Sequence, residues 1–350
     1  MLLNNTITLV DLGFNESLKL ALLNYNKQHQ TNYKAGRVAV VQRDLFTVYC
    51  EHGLIPATIT GKYLFVNGFD CQPAVGDWVV YKKSQCSNSN AIIYDILPRF
   101  SKFSRKVAGD KLNEQIIASN INYLFICISL NNDFNLSRLE RYLTMVFNSG
   151  VIPVIILTKC DLITDKDSKI NEVKNIAVAV NVHAISSVTG EGICELNKYC
   201  KQGNTIALVG SSGVGKSTLI NHLAGEELLK TNTVREKDDR GKHTTTHRQL
   251  IVLKNKAIVI DTPGMREFHL LAVSNAVSNT FKDIEDLAKH CKFKNCQHKT
   301  EPCCAVKQAI EYGELTQTRL NNYFKLQKEA AYMAKKEKRK LARNNRINNY

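Results

Sequence analysis

The chain has 350 residues, 44% of them hydrophobic and 23% charged, enough to bury a sizeable core in two or three globular domains. Lys and Arg outnumber Asp and Glu by 47 to 32, a net charge of +15, which favours a polyanionic partner such as nucleic acid over a neutral one. No run of eighteen apolar residues occurs and the start lacks a basic segment ahead of an apolar one, so neither a membrane span nor a signal peptide is expected. The expected setting is cytoplasmic, where the eleven cysteines stay reduced and the question is which of them bind metal.

Residues 1–35 read as a helical extension, with Leu and Tyr at helical spacing in LKLALLNYNKQ. Residues 36–99 hold five short segments rich in Val, Ile, Tyr and Phe: GRVAVVQ, LFTVYCE, IPATITGKYLFV, GDWVVYK and AIIYDILP. Such a series predicts a small five-stranded barrel of OB type, a fold suited to nucleic-acid contact, with an SH3-like or other barrel without a ligand as the alternative. Residues 100–275 change texture. INYLFICISL and VIPVIILTK are continuous apolar runs of buried parallel strands, and the SRLERYLTMVFNSG between them is an amphipathic helix. Further units at VAVNVHAIS, TIALVGS and AIVIDTPG make this an α/β domain around a mostly parallel sheet. Residues 276–332 form a mainly helical, cysteine-containing domain. Residues 333–350 are a basic tail, with seven Lys or Arg against one Glu from Lys335 onward.

The segment LVGSSGVGKSTLIN places Gly210, Ser211, Ser212, Gly213, Val214, Gly215, Lys216, Ser217 and Thr218 between a strand and a helix, the context a phosphate loop needs. Its glycines let backbone amides wrap phosphates, Lys216 reaches the β- and γ-phosphates, and the Ser217 hydroxyl binds Mg²⁺. LTKCDL, at a strand end, supplies the base reader. The Asp161 carboxylate accepts from guanine N1–H and N2–H₂, which adenine cannot offer, while the Lys159 stem lies along the ring beside Thr158. About 25 residues on, AISSVTGEG brings the backbone of Ser186 and Ser187 towards guanine O6. IVIDTPGMREF supplies Asp261, which holds Mg²⁺ through water, and Gly264, whose amide senses the γ-phosphate. One of Thr244, Thr245 and Thr246 in GKHTTTHRQL coordinates the Mg²⁺; the spacing does not say which, and Thr245 is taken as the candidate. The activity expected is hydrolysis of GTP to GDP and phosphate.

A second constellation is metal-binding. Cys291-x4-Cys296-x-His298-x5-Cys304 offers three thiolates and an imidazole, a set suited to one tetrahedral structural zinc, in a segment too poor in apolar residues to fold without a clip. Cys303 competes with Cys304 for the fourth position.

The order of these elements is unusual. The base-reading TKCD and SS precede the phosphate loop, the threonines and D-x-x-G, a circular permutation of the usual GTPase order. This order, with PAVGDWV, DFNLSRLERYL and CKFKNCQHKTEPCCAV, resembles the bacterial circularly permuted GTPases of small ribosomal subunit biogenesis, the RsgA (YjeQ) family, over about residues 36–310. The resemblance implies an N-terminal OB-fold, a permuted GTPase domain, a C-terminal zinc domain with Cys304 as fourth ligand, and a monomer acting on the 30S subunit and its 16S rRNA late in maturation. It also implies a catalytic His243, since Met265, which follows D-x-x-G, cannot orient water. Three positions depart from the family. Thr158 replaces the usual Asn, so a hydrogen bond bracing the phosphate loop is expected to weaken. Cys303 replaces Gly. Ser187 replaces Ala, where only backbone matters. Because D-x-x-G runs on into the cysteine segment, γ-phosphate contacts at Gly264 are expected to reorient the C-terminal domain. The alternatives weighed are a small-molecule kinase, which has no use for the guanine-spaced elements, and a nucleic-acid module with a vestigial nucleotide site.

Overall fold

The Asn15 side chain accepts a hydrogen bond from the Leu18 amide and so opens helix α1 (Glu16–His29), which stops where Gln30 turns left-handed. The computed structural model describes residues 7–42, 45–67, 72–83, 90–106, 114–147, 149–229, 249–261 and 274–347. After α1 come β1 (Lys34–Gln42), β2 (Leu45–Cys50), β3 (Gly53–Ile59), β4 (Trp78–Lys82) and β5 (Ala91–Ile96). They run in the order β1-β2-β3-β5-β4, and β4 pairs back onto β1, closing a barrel around Val38, Phe46, Val48, Val79 and Ile93. The five expected strands are present. The third is shorter than IPATITGKYLFV suggests: it ends at Ile59, and GKYLFVN forms helix α2 (Gly61–Asn67). Thr60 causes the break. Its amide bonds to the Ile93 carbonyl while its hydroxyl accepts from the Tyr63 amide, and only Tyr63 of the following aromatic and aliphatic residues is buried.

A hairpin of β6 (Lys102–Lys106) and β7 (Glu114–Ser119) then leads into β8 (Tyr123–Ser129), α3 (Leu136–Val146), β9 (Ile152–Thr158), α4 (Lys166–Ile176), β10 (Asn181–Ile185), β11 (Thr205–Val209), α5 (Lys216–Ala224), β12 (Gln249–Val252) and β13 (Ile258–Asp261). The sheet order is β10-β9-β8-β11-β13-β12, parallel throughout except that β12 is antiparallel to β13. Helices cover both faces, which is why these strands are apolar without alternation. Val40 of β1 pairs with Gln249 of β12, so the barrel joins the edge of the parallel sheet.

That joint is polar and buried. Arg37, 1% exposed, donates to the carbonyls of Gly76, Leu12 and Asn120 and to the Thr205 hydroxyl. Burial pulls its pKa down to about 9, against the nearby Asp77 charge that raises it. Asp77 accepts two bonds from Arg99, both 2.6 Å, and one from Ser119. Gly76 has φ +92°, and a Cβ there would lie 2.2 Å from the Ser119 carbonyl oxygen; the GD pair of PAVGDWV is thus a close-approach element between barrel and sheet.

The C-terminal part comprises α6 (Ser274–Thr280), α7 (Lys282–Ala288), the cysteine loop, α8 (Ala305–Glu311) and α9 (Gln317–Ile347). The 31-residue α9 carries on without a break through residues 333–347, so the basic segment continues the helix that packs on α3. Among the described residues no helix is long and apolar enough to cross a membrane.

Candidate nucleotide site and metal cluster

Because β8, β9, β10, β11 and β13 are parallel, their carboxyl ends meet at one edge of the sheet, where open α/β folds bind ligands. That edge gathers the ends of β9 (Thr158), β10 (Ser186), β11 (Gly210) and β13 (Asp261). The permuted order along the chain therefore costs nothing in space, since the sheet restores the neighbours.

Gly210 leaves β11 with φ +151°, and a Cβ there would sit 2.5 Å from the Cys127 carbonyl oxygen. Gly213 and Gly215 are also left-handed. Gly215 caps α5 without any side-chain hydrogen bond, which leaves the first-turn amides of the helix for an anion. Lys216 Nζ folds over the loop and donates to the carbonyls of Gly210 (2.8 Å) and Ser211 (2.7 Å). Ser212 and Gly213 are exposed; Ser217 and Thr218 are half-buried at the start of α5. A brace at Thr158 is present: its hydroxyl donates to the Val214 carbonyl at 2.7 Å. Threonine is shorter than asparagine, but β9 lies close enough to the loop for the hydroxyl to span the gap.

Lys159 adopts φ 59° and starts the short turn Cys160–Leu162, which presents Asp161 at the surface. Ser186 is fully buried; its hydroxyl accepts from the amides of Val188 and Thr189, and its own amide donates to the Glu191 carbonyl. Ser187 follows, half-buried. Asp261 ends β13 opposite Gln249. His243, Thr244, Thr245, Thr246 and Gly264 lie outside the described residues.

One residue of the loop's surroundings was missed. Asp133 Oδ2 accepts from the Ser211 hydroxyl at 2.5 Å and from Arg138 Nη1 at 2.7 Å. The Arg138 bond first, then Ser211 and the charges of Arg138 and Lys159, hold the Asp133 carboxyl below its usual range. The only signal was its place in DFNLSRLERYL, just ahead of the Asn135 cap of α3.

Cys291, Cys296, His298 and Cys304 place their ligand atoms within 4.8 Å of one another. Cys291 Sγ to Cys304 Sγ is 3.8 Å, and His298 Nδ1 lies 3.6 Å from Cys291 Sγ and 3.4 Å from Cys304 Sγ. A tetrahedron with metal–sulfur bonds of 2.3 Å has edges of about 3.8 Å, so the four donors are spaced to hold one metal ion. Burial lowers the His298 pKa, which favours the neutral, ligating imidazole, and raises the Cys304 thiol to about 11, so that only a cation would make it a thiolate at neutral pH. Cys303 is exposed and has φ 55°, a conformation that explains a glycine preference at this position.

Known proteins resemble the chain in sequence and in fold. The RsgA GTPase family model matches residues 96–271. The chain is 45% identical over 328 residues, 93% of its length and 90% of the relative's, to small ribosomal subunit biogenesis GTPase RsgA 2 of Lactiplantibacillus plantarum. It is 40% identical, over 93% of its length and 86% of the relative's, to the protein of that name, RsgA, from Methanosarcina acetivorans. Among solved structures, YjeQ from Thermotoga maritima superposes with a TM-score of 0.62 at 26% identity, covering 86% of this chain and 99% of that one. The circularly permuted GTPase YloQ gives 0.60 at 25%, covering 87% and 96%.

Proposed function

The chain belongs to the RsgA family of GTPases, and on that premise we propose that it hydrolyses GTP in late maturation of the 30S subunit, bound to 16S rRNA and stimulated by the subunit. One observation carries the nucleotide part: the phosphate loop, the Thr158-to-Asp161 turn and the Ser186–Ser187 turn follow the carboxyl ends of β11, β9 and β10, parallel strands of one sheet in which β8 alone separates β9 from β11. In this reading Asp161 reads guanine N1–H and N2–H₂. The Ser187 amide donates to O6, because that of Ser186 is engaged by Glu191. The loop amides and Lys216 hold the β- and γ-phosphates, which requires Lys216 to leave the carbonyls of Gly210 and Ser211. Ser217, Asp261 and Thr245 are the residues to hold the Mg²⁺ that screens phosphate charge. His243 orients the attacking water; attack on the γ-phosphorus breaks its bond to the β–γ bridging oxygen and leaves GDP and inorganic phosphate.

The cysteine–histidine cluster holds one structural zinc, and the barrel and this domain face rRNA as two arms. The basic residues of α9 fit the same role, since phosphate contacts by Lys and Arg dominate such binding. The protein works as a cytoplasmic monomer. The test is GTP turnover with and without purified 30S subunits. Subunits are expected to raise turnover in the wild type and to do so far less in His243→Ala, which keeps its GTP affinity. Turnover indifferent to subunits, with binding indifferent to nucleotide, would favour a nucleic-acid module with a vestigial site.

A further inference from the structure

We propose that Asp133 is a positioning residue of the nucleotide site, fastening the phosphate loop at Ser211 to the start of α3 and, through Glu140 and Arg141 of that helix, to the C-terminal helix α9. The inference rests on reading residues 210–217 as the phosphate loop.

Ser211 and Asp133 are 78 residues apart and joined by a 2.5 Å bond. The carboxylate is itself fixed from α3: Arg138, in the first turn, donates to the same Oδ2, and the Asp133 amide donates to Asn131 Oδ1. The Ser211 carbonyl also accepts from Lys216, as does that of Gly210. To reach phosphate Lys216 must leave those carbonyls, and one of them belongs to the residue Asp133 holds.

Helix α3 then transmits position as a rigid rod. Its inner face, Leu139, Tyr142, Leu143 and Val146, is buried in the main core, where close packing permits little independent slack. Its outer face carries Ser137, Glu140, Arg141 and Thr144, spaced i, i+3, i+4 and i+7, on one side of the helix. All four meet the C-terminal domain. Asn322 donates to Ser137 and Glu140, Arg319 to Glu140 at 2.7 Å, Arg141 to Glu329 at 2.9 Å, and Thr144 to Thr280 at 3.0 Å. Arg319, 7% exposed, also grips Asp283 of α7 through two 2.7 Å bonds. The loop end of α3 thus touches the phosphate site and its outer face touches the root of the basic helix. This route is separate from the chain path through Gly264, and it couples nucleotide occupancy to the placement of α9 by shared contacts with a single rigid element.

The test uses the full-length protein, with release of a fluorescent GDP analogue followed by stopped flow and backbone amide exchange of residues 317–332 followed with and without GDP. Asp133→Ala and Ser211→Ala remove the same bond from opposite ends. Both are expected to release GDP about fivefold faster or more, the lower bound of typical site coupling. The wild type is expected to show a GDP-dependent change in α9 exchange and both variants to lose it, a readout that loss of local packing alone would not move; a wild type that binds GDP without that change would also overturn the proposal. Arg141→Ala, at a half-exposed ion pair, should also uncouple α9 exchange from GDP. Wild-type release in Ser211→Ala, or a GDP response of α9 that survives in either loop variant, would overturn the proposal. Failure of the wild type to bind GDP at all would instead overturn the phosphate-loop reading.

Discussion

The phosphate loop and the cysteine loop are both short, turn-rich segments with convergent donors, and they are held together in opposite ways. The phosphate loop is built into the core: Gly210 lies against the Cys127 carbonyl, Thr158 braces Val214, Asp133 holds Ser211, and strand β11 behind it is buried along its whole length. Residues 289–304 have one buried member, Cys304, and what converges there is the ligand set itself. A site of the first kind exists before its ligand arrives. A site of the second kind depends on the ion that its donors would hold.

The largest expected effect falls on the chemistry of the first site and spares its fold. Lys216→Ala should lower GTP turnover by about 10²-fold or more, with unchanged circular dichroism and metal content, because the bonds Lys216 makes to the Gly210 and Ser211 carbonyls lie within its own loop at the surface of the sheet edge; an active variant would remove the phosphate-loop assignment. The second site should behave in reverse. Cys296→Ser is expected to release about one equivalent of metal and to open residues 289–304 to protease, since few apolar contacts remain to hold that loop. Full metal retention would show that the exposed Cys303 can take its place, or that the cluster is misassigned.

The smallest effect belongs to Thr158→Val, which leaves the Val214 carbonyl without its hydroxyl partner. A cost of about 1 kcal/mol, roughly fivefold in GDP affinity, is expected and can be read by titration with a fluorescent analogue. Identical affinities would mean that the loop is held by Gly210 and Asp133 alone, and the contrast between the two sites would rest on fewer contacts.

The strand-and-motif skeleton was legible because it is local. A phosphate loop needs glycines at fixed spacing, a buried parallel strand is apolar without alternation, and four metal donors within fourteen residues declare themselves. What escaped depends on distance in the chain. Thr158 reaches Val214 across 56 residues, Asp133 reaches Ser211 across 78, and Arg37 reaches Thr205 across 168. No local pattern encodes such pairs. Helix α2 escaped for a different reason: GKYLFVN has the aromatic and aliphatic content of a strand, and the competing signal was a single Thr60 hydroxyl able to cap a helix.

A sheet edge that is a guanine site assembled from elements in permuted order must select its base. Turnover of GTP, ATP and XTP should be measured side by side for the wild type and Asp161→Asn. The wild type is predicted to prefer GTP over ATP by at least about tenfold, or 1.4 kcal/mol, and the variant to shift towards XTP, whose extra carbonyl accepts from the new amide. Equal use of ATP by the wild type, or an Asp161→Asn variant that stays selective for GTP, would mean that Asp161 does not read guanine at this edge.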